Sequence, residues 1–298
     1  MANDKDFVVN GPVAVGKDTK VTVGSIGSIQ EGYYIAGASY DSVSFNINSQ
    51  DTSPKSVFFK PDGTKMFVVG GAGTDVNEYN LSTDWNVSTA TFSQNTSVSS
   101  QETNPEGVFF KPDGTKMYIT GGAGAEVNEY NLSTAWDIST LSYSQNFSVS
   151  TQDADPKGVF FKPDGSKMYI VGAGGGVGNL YEYNLSTAWN ISTASYSQTF
   201  STSTQETSPE GMYLKSDGTK VFVVGGAGDK VYEYTLSTAW DISTASFTKD
   251  FSVVAQEGGP KGIFFKPDGV KMYIIGSSSD SVYQYSTVRT VSPVDLST

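Results

Sequence analysis

The 298-residue sequence contains no cysteine and no histidine. Without cysteine there is neither a disulfide framework nor a thiolate nucleophile, and without histidine the commonest general base and the usual zinc ligand are both missing. Any chemistry must rest on carboxylates, hydroxyls, amides and aromatic rings. Positive charge is scarce as well: 19 Lys and Arg stand against 31 Asp and Glu, a net charge of -12. A nucleic-acid binder needs a basic face that displaces counterions from phosphates. Here ten of the 18 lysines sit instead at a recurring turn, Lys60 and Lys65 in its first copy, so no nucleic-acid partner is expected. No segment approaches the ~18 consecutive apolar residues of a membrane span. The opening residues 1–6 lack a basic region followed by an apolar run. Neither a membrane nor an encoded export signal is therefore expected.

What is present is repetition. Five copies of a unit open at Pro54, Pro105, Pro156, Pro209 and Pro260, spaced by 51, 51, 53 and 51 residues, with the two extra residues inside the Gly-rich stretch 172–178. A period of this size marks a repeat architecture. A residue present in every copy is explained by the fold, whereas catalysis at one site needs residues that differ between copies. Each unit holds four short β-prone runs, in the second copy residues 107–111, 116–120, 126–132 and 142–149. Lys111-Pro112-Asp113-Gly114 reads as a tight hairpin turn, because proline fixes φ at the first corner and glycine supplies the left-handed position. Val108-Phe109-Phe110 and Met117-Tyr118-Ile119 are apolar without alternation, as in strands covered on both faces. Residues 143–149 alternate, as in a half-exposed outer strand. The small residue before each Val-Phe-Phe run (Ser56, Gly107, Gly158, Gly211 or Gly262) suits an innermost strand crowded around an axis.

Four-stranded sheets repeated radially are the blades of a β-propeller. The last copy stops after its third strand, Ser281–Ser286, while residues 38–50 match an outer strand with one extra residue between Tyr40 and Phe45. The two ends together complete one blade. The expected fold is all-β, a five-bladed propeller of four-stranded antiparallel blades, closed by an N-terminal outer strand in the last blade. The expected division is an N-terminal anchoring or oligomerisation segment at 1–37, the propeller at 38–286 and a tail at 287–298.

The core Phe-Phe-Lys-Pro-Asp-Gly-Thr-Lys-Met-Tyr resembles that of YVTN-type and lactonase-like propellers. The fuller string at residues 129–145, Glu-Tyr-Asn-Leu-Ser-Thr-Ala-Trp-Asp-Ile-Ser-Thr-Leu-Ser-Tyr-Ser-Gln, is similar to propeller repeats of structural proteins of marine tailed bacteriophages. The resemblance spans residues 38–286 and implies a fold rather than an activity, since propellers carry many functions. The opening run also resembles N-terminal attachment segments of phage fibre and virion proteins. It places Phe7, Val8, Val9, Val13, Val15, Val21 and Val23 outside any repeat, and these are the candidate assembly residues.

Candidate binding residues fall into two sets. Trp85, Trp136, Trp189 and Trp240 occupy one repeat position before the outer strand, and the truncated fifth copy lacks an equivalent. They could stack on sugars or seal the joints between blades. Gln101-Glu102, Gln152-Asp153 and Gln205-Glu206, with Gln50-Asp51 and Gln256-Glu257, precede the inner strands and should ring one face. Calcium favours such oxygens, but needs six to eight converging on one point, and one acid per blade is diffuse. The alternative is a glutamine bonded to loop backbone with its acid facing solvent, and no metal or other cofactor is expected. The residue after each opening proline alternates as Lys55, Glu106, Lys157, Glu210 and Lys261, which should give four opposite-charge neighbours and one Lys261–Lys55 clash. The Gly-rich loops are followed by strands rather than helices, which argues against phosphate binding.

The leading expectation is a non-enzymatic virion component of fibre, tail or capsid surface, joined to other virion proteins or to further copies of itself through the N-terminal segment. The alternative is a lectin-like propeller for host-surface glycan. A glycoside hydrolase ranks third. It would need two carboxylates about 5–10 Å apart, and the inner strands carry no acid peculiar to one blade.

Overall fold

The computed structural model describes residues 29–291. Five antiparallel four-stranded sheets repeat around an axis. Blade 1 comprises Pro54–Phe59, Lys65–Gly70, Asp75–Leu81 and Ala90–Ser97. Blade 2 comprises Pro105–Phe110, Lys116–Gly121, Glu126–Leu132 and Leu141–Ser148. Blade 3 runs from Pro156–Phe161 to Ala194–Ser201, and blade 4 from Pro209–Leu214 to Ala245–Ser252. Blade 5 takes three strands from the C-terminal side, Pro260–Phe265, Lys271–Gly276 and Ser281–Ser286, and its outer strand, Ser39–Asn46, from the N-terminal side. Ser39 pairs with Ser286 and Asn46 with Ser281, so the ring is closed by the strand the sequence nominates. Ile29–Glu31 and Arg289–Val291 form a separate two-stranded sheet.

The inner strands explain the small residues. An added Cβ on Gly107 would lie 2.9 Å from the Cα of Gly158, and one on Gly211 would lie 3.0 Å from the Cα of Gly262. These are backbone-to-backbone approaches that no side chain could relieve. Two residues further along the strand, five aromatic rings meet edge to face around the axis. Phe58 contacts Phe109 at 5.3 Å, Phe109 contacts Phe160 at 5.3 Å, and Phe160 contacts Tyr213 at 5.5 Å. Tyr213 contacts Phe264 at 5.5 Å and Phe264 returns to Phe58 at 5.2 Å, with interplanar angles of 67–71° throughout. Such pairs contribute about 0.5–1.5 kcal/mol each beyond area burial, and here they plug the axis.

The fifth blade reaches further toward the N-terminus than the pattern match beginning at residue 38. In blades 1 to 4 a tryptophan at φ 64–65° precedes a short 3-10 turn. Tyr33, at φ 61°, stands at that position before the turn Ile35–Gly37. Its N–H donates to the Gly269 carbonyl, as that of Trp85 does to Gly63. The equivalent missing from the C-terminal copy is thus supplied by the other end of the chain, and is a smaller ring.

Candidate functional site

Each blade's first and third connections lie at the same end of the barrel of inner strands. The Pro-Asp-Gly turn meets the tryptophan there. Gly63, at φ +77°, leaves room for the Trp85 indole where any Cβ would collide with it. The indole stacks on Phe59 of its own blade at 5.7 Å and on Phe264 of the preceding blade at 6.4 Å. Trp136 and Trp189 repeat this against Phe110 and Phe58 and against Phe161 and Phe109. Trp240 packs against the Gly218 turn. All four are half-buried wedges between blades. Tyrosines of the second strand reinforce the joints: Tyr118, Tyr169 and Tyr273 each donate to the carbonyl of the next blade's tryptophan at 2.7–2.8 Å.

At the opposite end the structure reverses the expected roles of the glutamine–acid pairs. The acids are buried, with Glu102 and Glu206 fully enclosed and Asp153 1% exposed. Glu206 accepts from the backbone N–H groups of Ser208, Ala227 and Gly228 at 2.8–3.2 Å. Glu102 and Asp153 bind the corresponding amides of Asn104 and Ala123, and of Asp155 and Gly174. The carboxylates latch the Gly-rich loops, whose N–H groups have no strand partner and need acceptors. Desolvation raises the pKa of Asp153 and of Glu206, against the lowering effect of those hydrogen bonds. The glutamines are the half-buried members. Gln152 accepts from Tyr183 at 3.2 Å and Gln256 from Tyr285 at 3.3 Å, while Gln101 and Gln205 are half-buried at the same loop position without that bond.

The alternating charges lie on a bulge that leaves the residue after each opening proline unpaired. Three of the four expected ion pairs form: Lys55–Glu106 at 3.4 Å, Lys157–Glu106 at 3.2 Å and Lys261–Glu210 at 2.7 Å. Lys157 turns instead to Asp155 at 2.8 Å rather than to Glu210. Between this charged mouth and the aromatic ring, the axis holds a space of about 30 Å³, room for ordered water only. Among the described residues no group of three acidic side chains could hold a metal ion.

A second set of acids went unnoticed in the sequence because it looks like ordinary strand polarity. Glu78, Glu129, Glu182 and Glu233 are each about 1% exposed in the third strand, paired with Lys65, Lys116, Lys167 and Lys220. Gln94, Gln145 and Gln198 extend the first three pairs, each donating to its own blade's glutamate and to the residue preceding the next blade's 3-10 turn, Asp137, Asn190 or Asp241. Blade 5 has Gln284 at the glutamate position, and Asp41 in the closing strand supplies the acid. Asp41 accepts from Lys271 at 2.5 Å, Gln284 at 3.0 Å and Ser286 at 2.6 Å. The additional residue in that strand makes a two-residue bulge at Asp41 and Ser42, where other blades skip one residue.

The exposed aromatic positions were also missed. Phe92, Tyr143, Tyr196 and Phe247, each 43–45% exposed, stand at one position of the outer strands, edge-on to the buried Tyr79, Tyr130, Tyr183 and Tyr234. The candidate assembly residues Phe7, Val8, Val9, Val13, Val15, Val21 and Val23 lie outside the described residues.

The chain is a five-bladed β-propeller with a plugged axis and buried, structurally engaged acids. No family model and no curated protein matches its sequence. Among solved structures it is similar to a proposed 6-phosphogluconolactonase from Bacteroides uniformis, at 13% identity and a TM-score of 0.49, over 79% of this chain and 70% of that one. It is also similar to the β-propeller domain of Cps50 (Swd1) from Myceliophteria thermophila, at 10% identity and a TM-score of 0.47, over 78% and 82%. A functionally unknown protein from Desulfotomaculum acetoxidans matches at 11% identity and a TM-score of 0.44, over 75% of this chain, which spans 62% of that protein's length.

Proposed function

We propose that this chain is a non-enzymatic structural component of a tailed-phage particle, a propeller presented for assembly or attachment to a host surface. The observation that carries the reading is the use of its functional groups. The axis, where a propeller enzyme would place its chemistry, is closed midway by the aromatic ring and the close-approaching glycines, and the cup on one side of the ring is lined by carbon. The ring of acids at the mouth is spent on loop amides and on Lys–Glu pairs. A glycosidase needs two free carboxylates facing one bond, and these acids are committed elsewhere. The repeat's likeness to phage structural propellers supplies the particle, with the N-terminal segment as the attachment to other virion proteins or further copies. Proteomics and antibody-labelled electron microscopy of purified particles test it: the chain should be a stoichiometric particle component with its propeller exposed. Its absence from particles overturns the reading.

The second reading, a glycan-binding propeller, gains from the outer-strand aromatics more than from the tryptophans. Phe92, Tyr143, Tyr196 and Phe247 repeat a ring at the rim of four blades, an arrangement suited to weak contacts summed by multivalency. A glycan array is the test. Binding that drops at least tenfold in a Tyr143→Ser, Tyr196→Ser double variant supports it, and no binding removes it.

A further inference from the structure

On the Pro-Asp-Gly side of the aromatic ring the axis opens into a cup of about 250 Å³. Its floor is the edge-to-face ring, so nothing threads through it. Its rim is set by the second residue of each Lys-Pro-Asp-Gly turn: Pro61, Pro112, Pro163 and Pro267, with Ser216 in the fifth place. The wall between floor and rim is Phe59, Phe110, Phe161 and Leu214.

Charge is kept out of this space by local pairing. Every turn lysine is bound to the aspartate two residues on, at 2.6–2.8 Å in all five blades. Tyr213, the only floor ring with a hydroxyl, lies against Tyr33, whose own hydroxyl donates to the Pro267 carbonyl at 2.9 Å. An occupant would therefore meet mainly carbon on the floor and walls, with the Ser216 hydroxyl, which also hydrogen-bonds Tyr33, at the rim. Size and outline narrow it further. An apolar cavity of about 150 Å³ already holds benzene, while drug-sized pockets begin near about 300 Å³. A round, closed-ended cup suits a compact ring and not an extended acyl chain.

We infer that the cup is a binding site for one neutral aromatic ring of benzene to indole size, carried by a free small molecule or by a side chain of a partner. Proline rings and aromatic edges supply the contact, and Ser216 meets a polar substituent such as an indole N–H. The site is independent of the glycan reading, because its residues take no part in the outer-strand surface.

The test is ligand titration of the full chain with toluene, indole and N-acetyl-tryptophanamide, followed by NMR shifts of the Leu214 methyl groups. Saturable binding of toluene and indole at one site per chain is expected. The triple variant Pro61→Ser, Pro112→Ser, Pro163→Ser should weaken it at least tenfold. Serine already occupies this turn position in blade 4, so the variant retains the turn, and an unchanged melting temperature confirms its folding. Ser216→Pro, which completes the rim, should leave toluene binding equal or tighter and weaken indole relative to toluene. Binding of indole alone points to a free molecule as the source, and binding of the tryptophan amide as well points to a side chain. No saturable shift at Leu214, or affinities untouched by the triple variant, overturns the inference.

Discussion

A bulky residue at positive φ is costly, yet the fold places one in every blade: four tryptophans at 64–65° and Tyr33 at 61°. The strain is offset because the left-handed turn lays each ring across the joint to the preceding blade. Trp136→Ala should therefore destabilise the protein by about 2–4 kcal/mol in denaturant unfolding. Trp136→Gly, which loses the same stack but relieves the backbone, should cost less than alanine. Equal costs would mean the backbone is unstrained there. The turn aspartates make a pH prediction. Burial would raise the pKa of Asp62, Asp113, Asp164 and Asp217, but hydrogen bonds from the neighbouring lysine and from the Thr or Ser two residues on outweigh it and lower each to about 2. A depressed carboxylate contributes stability that is present above the ordinary range near about 4 and is lost as pH falls through the folded value. Asp153 and Glu206 are shifted upward and act in the opposite sense, favouring the folded state as they protonate. The melting temperature should hold or rise on mild acidification and then fall steeply between about pH 4 and 2. Replacing all four turn aspartates by asparagine should flatten that fall, and an unchanged profile would reject the assignment.

The closing strand is the element on which the ring depends. Asp41 ties it to Lys271, Gln284 and Ser286, and its pKa is lowered because those hydrogen bonds outweigh the effect of burial. Asp41→Ala should cost about 1–3 kcal/mol at neutral pH. The difference from wild type should shrink as pH falls below the carboxylate range, because protonation removes the same charge. A pH-independent cost would assign the effect to packing. The strand itself was legible in the sequence, since the alternation of residues 40–46 copies the other outer strands and the last copy stops one strand short. Its extra residue was visible too, but not its purpose, which appears only once Gln284 is found where other blades carry glutamate. Tyr33 is hidden in the sequence because the position carries tryptophan in the other four blades. Tyr33-Tyr34-Ile35-Ala36-Gly37-Ala38-Ser39-Tyr40 nevertheless runs in step with Trp189-Asn190-Ile191-Ser192-Thr193-Ala194-Ser195-Tyr196. The loop acids were misjudged for a physical reason. An acid beside glycine and serine looks solvated until the unpaired amides of a loop about twenty residues downstream are counted as its partners.

At the scale of the whole molecule, each blade contacts its two neighbours and all five meet at the aromatic ring, so stability is shared around a closed circuit with no unpaired edge at the seam. Deleting residues 1–50 should expose the edge of Ser281–Ser286 and cause aggregation, whereas a chain starting at Gly32 keeps Tyr33 and the closing strand and should stay folded. On the proposed function, the same truncation should fail to join the particle, since it lacks the candidate assembly residues. Opposite ends of the propeller sequence become neighbours at the seam. Because the sequence has no cysteine, Ser39→Cys with Ser286→Cys introduces one unambiguous pair at directly opposed positions. A closed ring should give a quantitative intramolecular disulfide under mild oxidation and a rise in stability of up to about 5 kcal/mol from closing so long a loop. Free thiols that persist under oxidation, or disulfides that form only between molecules, would contradict the closed five-bladed ring.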